Sequence, residues 1–163
     1  MKVFISHKDC DSPLAIQINN YLTRKGVTTY LDALDNSIDL TKGSKELTNY
    51  LRNEIRDSTD ILVIMSEETK NSWWVPFEIG MASDQNLPIV TFLQDYVPLP
   101  EYLDYWPCIR YLSDIDKYIN ITKRRIFRER IKEQSIRKSE NFSTLNSRID
   151  QYYSELKRNL KNV

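Results

Sequence analysis

The chain has 163 residues, 40% of them apolar and 28% charged, with a formal net charge of +0 and a sequence pI of about 6.6. That fits one domain with one core, gives no electrostatic reason to expect a nucleic-acid or membrane partner, and contains no apolar run near the ~20 residues of a membrane helix. One histidine, His7, and two cysteines, Cys10 and Cys108, are too few for the common zinc sites or a disulfide framework, and the opening residues 1–6 turn polar too early for a signal peptide, so a cytoplasmic protein is expected.

Val3, Phe4 and Ile5 form a short apolar run that ends in Ser6-His7-Lys8-Asp9, a strand followed by a loop. Asp11 or Ser12 can cap a helix, with Pro13 at its start. Leu14, Ile18, Tyr21 and Leu22 then recur at helical spacing until Gly26, a plausible stop. Residues 27–31 are β-branched and aromatic and predict a second strand. A long polar loop covers 32–45, a length that often carries function. Leu47, Tyr50, Leu51 and Ile55 mark the next helix. The apolar run after Asp60 predicts a central strand buried on both faces. A loop and helix follow over 67–83, then a fourth strand over 88–93, a Pro- and aromatic-rich connection over 94–107 and a short edge strand over 108–112. From Asp114 the pattern is helical, with one stripe on Ile115, Ile119, Thr122 and Ile126. Ser139-Glu140-Asn141 interrupts it, and Phe142, Leu145, Ile149, Tyr152 or Tyr153, Leu156 and Leu160 form a second stripe.

Alternating strands and helices predict an α/β fold: a flavodoxin-like three-layer arrangement with a central parallel five-stranded sheet and a C-terminal helical extension. The expected division is a domain over 1–125 and an extension over 126–163, packed on the domain or at a dimer interface. Charge divides similarly. Residues 1–115 carry a net −7 and residues 116–163 a net +7. The basic tail is either a solvated helical surface or a face that docks on an acidic one.

Ser72-Trp73-Trp74-Val75-Pro76-Phe77-Glu78 is the segment that suggests chemistry. A helix starting near Val75 places Glu78 in its first turn, at the mouth of the sheet, on the same face as Trp74. The plain alternative is a helix cap with tryptophans filling core. A carboxylate beside an aromatic platform can stabilise a ribosyl oxocarbenium ion while the base stacks on the indole. A leaving base that is already cationic, such as nicotinamide, needs no acid of the kind most glycosidases use. The three glycines, Gly26, Gly43 and Gly80, form neither a Walker loop nor a Gly-x-Gly-x-x-Gly fingerprint.

These pieces together resemble the bacterial TIR (Toll/interleukin-1 receptor) family, and in particular the TIR component of Thoeris anti-phage systems. The resemblance covers about residues 2–125. Val3-Phe4-Ile5-Ser6-His7 with Asp11 and Ala15 is similar to the family's opening, and Tyr30-Leu31-Asp32 leads into its BB loop. Residues 72–78 are similar to its Ser-x-Trp-Cys-x-x-Glu segment, with Val75 replacing the cysteine. The resemblance implies an NAD⁺ nucleosidase or cyclase with Glu78 as the catalytic residue. Trp74 is then at the nucleotide, and Ser6, His7, Lys8, Leu34 and Asp35 bind substrate. His7 is expected to be exposed at the pocket rather than a general base, and Asp9 and Asp11 to be turn and cap residues. NAD⁺ is a substrate, with no cofactor or metal. The resemblance also implies self-association through TIR–TIR contacts, a separate effector that senses an ADP-ribose-derived product, and no nucleic-acid or membrane partner. The alternatives are a non-catalytic TIR assembly module and a nucleoside deoxyribosyltransferase-like enzyme.

Overall fold

A computed structural model describes residues 1–31, 44–135 and 142–160. Five parallel strands form the sheet: β1 (Lys2–Ser6), β2 (Thr28–Tyr30), β3 (Asp60–Met65), β4 (Ile89–Leu93) and β5 (Cys108–Ile109). Their order is β2-β1-β3-β4-β5. Helices α1 (Ser12–Arg24), α2 (Ser44–Arg56), α3 (Trp74–Asp84), α4 (Leu112–Ser135) and α5 (Phe142–Leu160) complete the fold. This is the expected flavodoxin-like arrangement.

Every residue of β3 is buried, which explains why its run is apolar without alternation. Strand geometry nevertheless sorts side chains by parity. Val3, Ile5, Leu62, Ile64, Val90 and Phe92 pack into one core with residues of α1, α4 and α5. Phe4, Ile61, Val63, Met65, Ile89 and Leu93 pack into the other, against α2 and α3. Register follows the same plan, with Phe4 beside both Tyr30 and Ile61, and Val63 beside Thr91.

Helices α1 and α3 end in the same way. Gly26 (φ +70°) follows α1, its N–H donating to Thr23 O at 3.0 Å and that of Val27 to Leu22 O at 3.1 Å. Asn86 (φ 54°) follows α3, its N–H donating to Ser83 O at 3.0 Å and that of Leu87 to Ala82 O at 2.9 Å. Each is a Schellman turn: a left-handed residue satisfies the last carbonyls and returns the chain toward the next strand.

Some boundaries differ from the sequence expectation. β5 is two residues long, because Leu112 already begins α4 and Tyr111 is exposed. Helix α4 runs unbroken from Leu112 to Ser135, through residues 125 and 126. Most of the 32–45 loop and the 139–141 interruption lie outside the described residues. On α5, Tyr152, Tyr153, Leu156 and Leu160 are buried in the first core, so this helix packs on its own domain. No helix among the described residues is long and apolar enough to cross a membrane.

Candidate active site

In a sheet of order 2-1-3-4-5 the connections reverse direction between β1 and β3, the point beyond whose carboxyl ends open α/β sheets bind their ligands. Ser6 ends β1 at this point, and Glu78 arrives from α3, the helix that follows β3. The Ser6 hydroxyl donates to Glu78 Oε2 at 2.5 Å. Both residues are buried, Ser6 at 1% and Glu78 at 2% exposure. Residues 72 positions apart in sequence therefore meet at the switch point.

Helix α3 begins at Trp74, one residue earlier than expected, so Glu78 is its fifth residue rather than part of the first turn. Glu78 does not cap the helix. Ser72 Oγ accepts the N–H groups of Trp74 at 3.2 Å and Val75 at 3.4 Å, which releases the carboxylate from that task. Nor do the tryptophans simply fill core. Trp73 is 76% exposed and Trp74 is half-buried. The two indoles meet edge-on at 5.1 Å, and Trp74 lies 5.5 Å from the Phe77 ring, so an aromatic cluster borders the helix start.

His7 departs from expectation. It is buried, with Nε2 3.1 Å from Ser12 Oγ. A single 3-10 turn, Asp9–Asp11, separates it from the start of α1 at Ser12. Lys8 lies at the rim, its Nζ donating to the backbone carbonyl of Glu68 at 3.3 Å. Leu34 and Asp35 lie outside the described residues. Asp9 is exposed and Asp11 buried. Asp11 makes no side-chain cap to α1. Its Oδ2 accepts hydrogen bonds from Ser66 Oγ at 2.6 Å and from Thr69 Oγ1. Sequence reasoning read Asp11 as a local cap, because partners 55 and 58 residues away leave no periodic trace.

Cys10 is exposed and Cys108 half-buried, where burial raises the thiol pKa above its ordinary value. Among the described residues no group of three His, Cys, Asp or Glu side chains is placed to hold a metal ion. Two surface grooves lie elsewhere. One of about 670 Å³ runs along α4 by Arg124 and Phe127, and one of about 970 Å³ lies by Arg52, Phe77 and Met81. Neither is lined by Ser6 or Glu78.

A family model described as "TIR domain" matches residues 3–141. The chain belongs to the TIR family. Among curated proteins, this TIR chain is 28% identical over 114 residues to "Probable 3' cyclic ADP-D-ribose synthase ThsB'" of Bacillus cereus (strain MSX-D12). The alignment covers 66% of this chain and 59% of that protein, so the chain spans about three-fifths of its relative's length. Two solved structures share the fold. The Clostridium botulinum CMP N-glycosidase BcmB is 18% identical, with TM-score 0.57 over 72% of this TIR chain and 99% of that chain. A 2-deoxyribosyltransferase from Bacillus psychrosaccharolyticus is 10% identical, with TM-score 0.59 over 89% and 96%. At these identities the likeness is one of fold.

Proposed function

We propose that this TIR chain cleaves the nicotinamide–ribose bond of NAD⁺ and yields an ADP-ribose-derived, cyclic signalling nucleotide. The observation that carries the reading is the Glu78 carboxyl at the β1/β3 switch point, bonded to Ser6 and one helical turn from Trp74. Similarity to the curated cyclic ADP-D-ribose synthase supports it.

The chemistry follows from charge. As the C1′–N bond of NAD⁺ breaks, its electron pair goes to the pyridinium nitrogen and nicotinamide leaves neutral. Positive charge then builds on the ribose, and a carboxylate beside it lowers that barrier. A hydroxyl or ring nitrogen of the same nucleotide forms the new bond to C1′; an attacking hydroxyl gives up its proton. Water as acceptor yields linear ADP-ribose. Trp74 offers a stacking face for a planar base. Ser6 holds Glu78, while His7 and Lys8 shape the near wall and rim; Leu34 and Asp35 complete the substrate-binding set. NAD⁺ is the substrate and no cofactor is required. The chain works in the cytoplasm, self-associates through TIR–TIR contacts, and passes its product to a separate effector in anti-phage immunity.

The test is nicotinamide release from NAD⁺ by purified protein, with products resolved by mass spectrometry. Glu78→Gln keeps the shape and removes the charge, and its expected effect is a loss of about 100-fold or more in rate. Equal rates for the two proteins would sink the reading. Cleavage of a deoxynucleoside in preference to NAD⁺ would assign the deoxyribosyltransferase chemistry instead. Assembly without turnover of either substrate would leave a non-catalytic module.

A further inference from the structure

We propose that Asp11 is a positioning residue for Glu78: its carboxylate ties the loop after β3 to the loop after β1 and so sets how α3 presents Glu78 to Ser6. This rests on the reading of Glu78 given above. Strand pairing between β1 and β3 ends at Ser6 and Val63. Beyond that point the backbone ladder no longer joins the two strands, yet the candidate site draws on the loops they lead into. Asp11 makes a buried link between those loops, through its bonds from Ser66 Oγ and Thr69 Oγ1. Thr69 N–H closes the cluster by donating to Ser66 Oγ at 3.0 Å.

Two paths lead outward from this cluster. On the α3 side, the Ser72 N–H donates to Thr69 O at 2.9 Å, and Ser72 Oγ receives the first amides of α3. Glu78 stands one turn further on. On the β1 side, the Asp11 N–H donates to Lys8 O at 2.7 Å, and the Ser12 hydroxyl donates to Asp9 O at 2.7 Å. His7 lies against Ser12, directly after Ser6. Asp11 thus completes a second route between Ser6 and Glu78 besides their own hydrogen bond. A carboxylate suits the place. An acceptor that takes two hydroxyl donors forms charge-assisted bonds, stronger than those an amide of the same shape makes.

A residue that acts through Glu78 has a kinetic signature that a general stabiliser lacks. Asp11→Asn should lower kcat for NAD⁺ cleavage roughly 10- to 100-fold and leave KM within about twofold, because the interaction weakened belongs to the transition state. Added to Glu78→Gln it should cost nothing further, since its route runs through the missing charge. Thr69→Val, which keeps shape and removes one donor, should give a smaller kcat loss of the same kind and serves if Asp11→Asn does not fold. Hydrogen exchange at the Trp74 and Val75 amides should quicken in both variants, a readout that needs no turnover. Unchanged kcat and unchanged exchange would overturn the proposal, as would an additive loss in the Asp11→Asn, Glu78→Gln double variant. If Glu78→Gln alone keeps full activity, it is the reading of Glu78 that fails; if Glu78→Gln is inactive while Asp11→Asn and Thr69→Val keep kcat, only the role of Asp11 fails.

Discussion

Ser6 and Glu78 illustrate how little space a site of this kind needs. A hydroxyl at the end of one strand and a carboxyl on the second turn of one helix meet at 2.5 Å in a buried setting. Removing one partner of a buried hydrogen bond costs ~1–3 kcal/mol. Ser6→Ala is therefore expected to destabilise the fold by about 2 kcal/mol, read as a lower urea midpoint with an unchanged slope. An unchanged midpoint would mean that water or a neighbouring donor replaces the hydroxyl. At this scale the sequence pattern puts Ser6 after a strand and Trp74 and Glu78 four apart on a helix, and the structure brings Ser6 and Glu78 into contact. The pattern was a poor guide to His7 and Asp11, whose burial depends on how the loops fold over them.

At the level of elements, β3 is tied to the C-terminal helices at the end opposite the site. Asp60, the first residue of β3, is fully buried, and Arg125 of α4 donates to its two oxygens at 3.1 and 3.2 Å and to Thr59 O at 3.0 Å. The Arg125 guanidinium lies 5.0 Å from the Tyr152 ring centroid, and Tyr152 Oη lies 2.8 Å from Thr122 Oγ1. Burial pushes the Asp60 carboxyl up to about 6, against the pull of Arg125. Burial also works against the Arg125 charge, yet the Asp60 and Glu129 carboxylates outweigh it and raise its pKa. Both directions hold because Asp60 is sealed, whereas Arg125 keeps 14% exposure and has two carboxylates beside it.

The pH consequence follows from the Asp60 shift. An unfolded aspartate titrates near pH 3.9, so the folded chain holds the Asp60 proton more tightly. Its contribution to stability is full below about pH 4 and is lost as pH rises through about 6. Asp60→Asn cannot titrate. The stability of the native chain relative to that variant is expected to fall by about 3 kcal/mol across this window, measured by denaturant unfolding at each pH. A difference that stays flat, or rises with pH, would show that Arg125 dominates the carboxyl.

For the whole molecule, the basic tail is not a free appendage. Helix α5 buries Tyr152, Tyr153, Leu156 and Leu160 in the core beneath the sheet, and the Tyr153 hydroxyl accepts the Ile89 N–H at 2.9 Å. Full burial of a large apolar side chain is worth ~1.5–3 kcal/mol, so four contribute ~6–12 kcal/mol. That rivals the ~5–15 kcal/mol by which a domain is stable. A chain ending after Ser135 is therefore expected to lose its cooperative thermal transition by circular dichroism. An unshifted melt would make α5 dispensable. The basic tail meets acidic groups of the first part in Lys117 with Asp114 and Arg125 with Asp60, while apolar and tyrosine contacts hold α5.

Local pattern was enough to determine the five strands, their alternation with helices and the flavodoxin-like architecture. Each depends on periodicity, turn chemistry or short spacing, which a chain carries along its length. Tertiary structure decided what depends on meetings across the sheet: the Ser6–Glu78 bond, the Asp11 cluster, the burial of His7 and the Asp60–Arg125–Tyr152 clasp. Those partners lie far apart in the chain, and a polar side chain reads the same in sequence whether water or a second loop covers it.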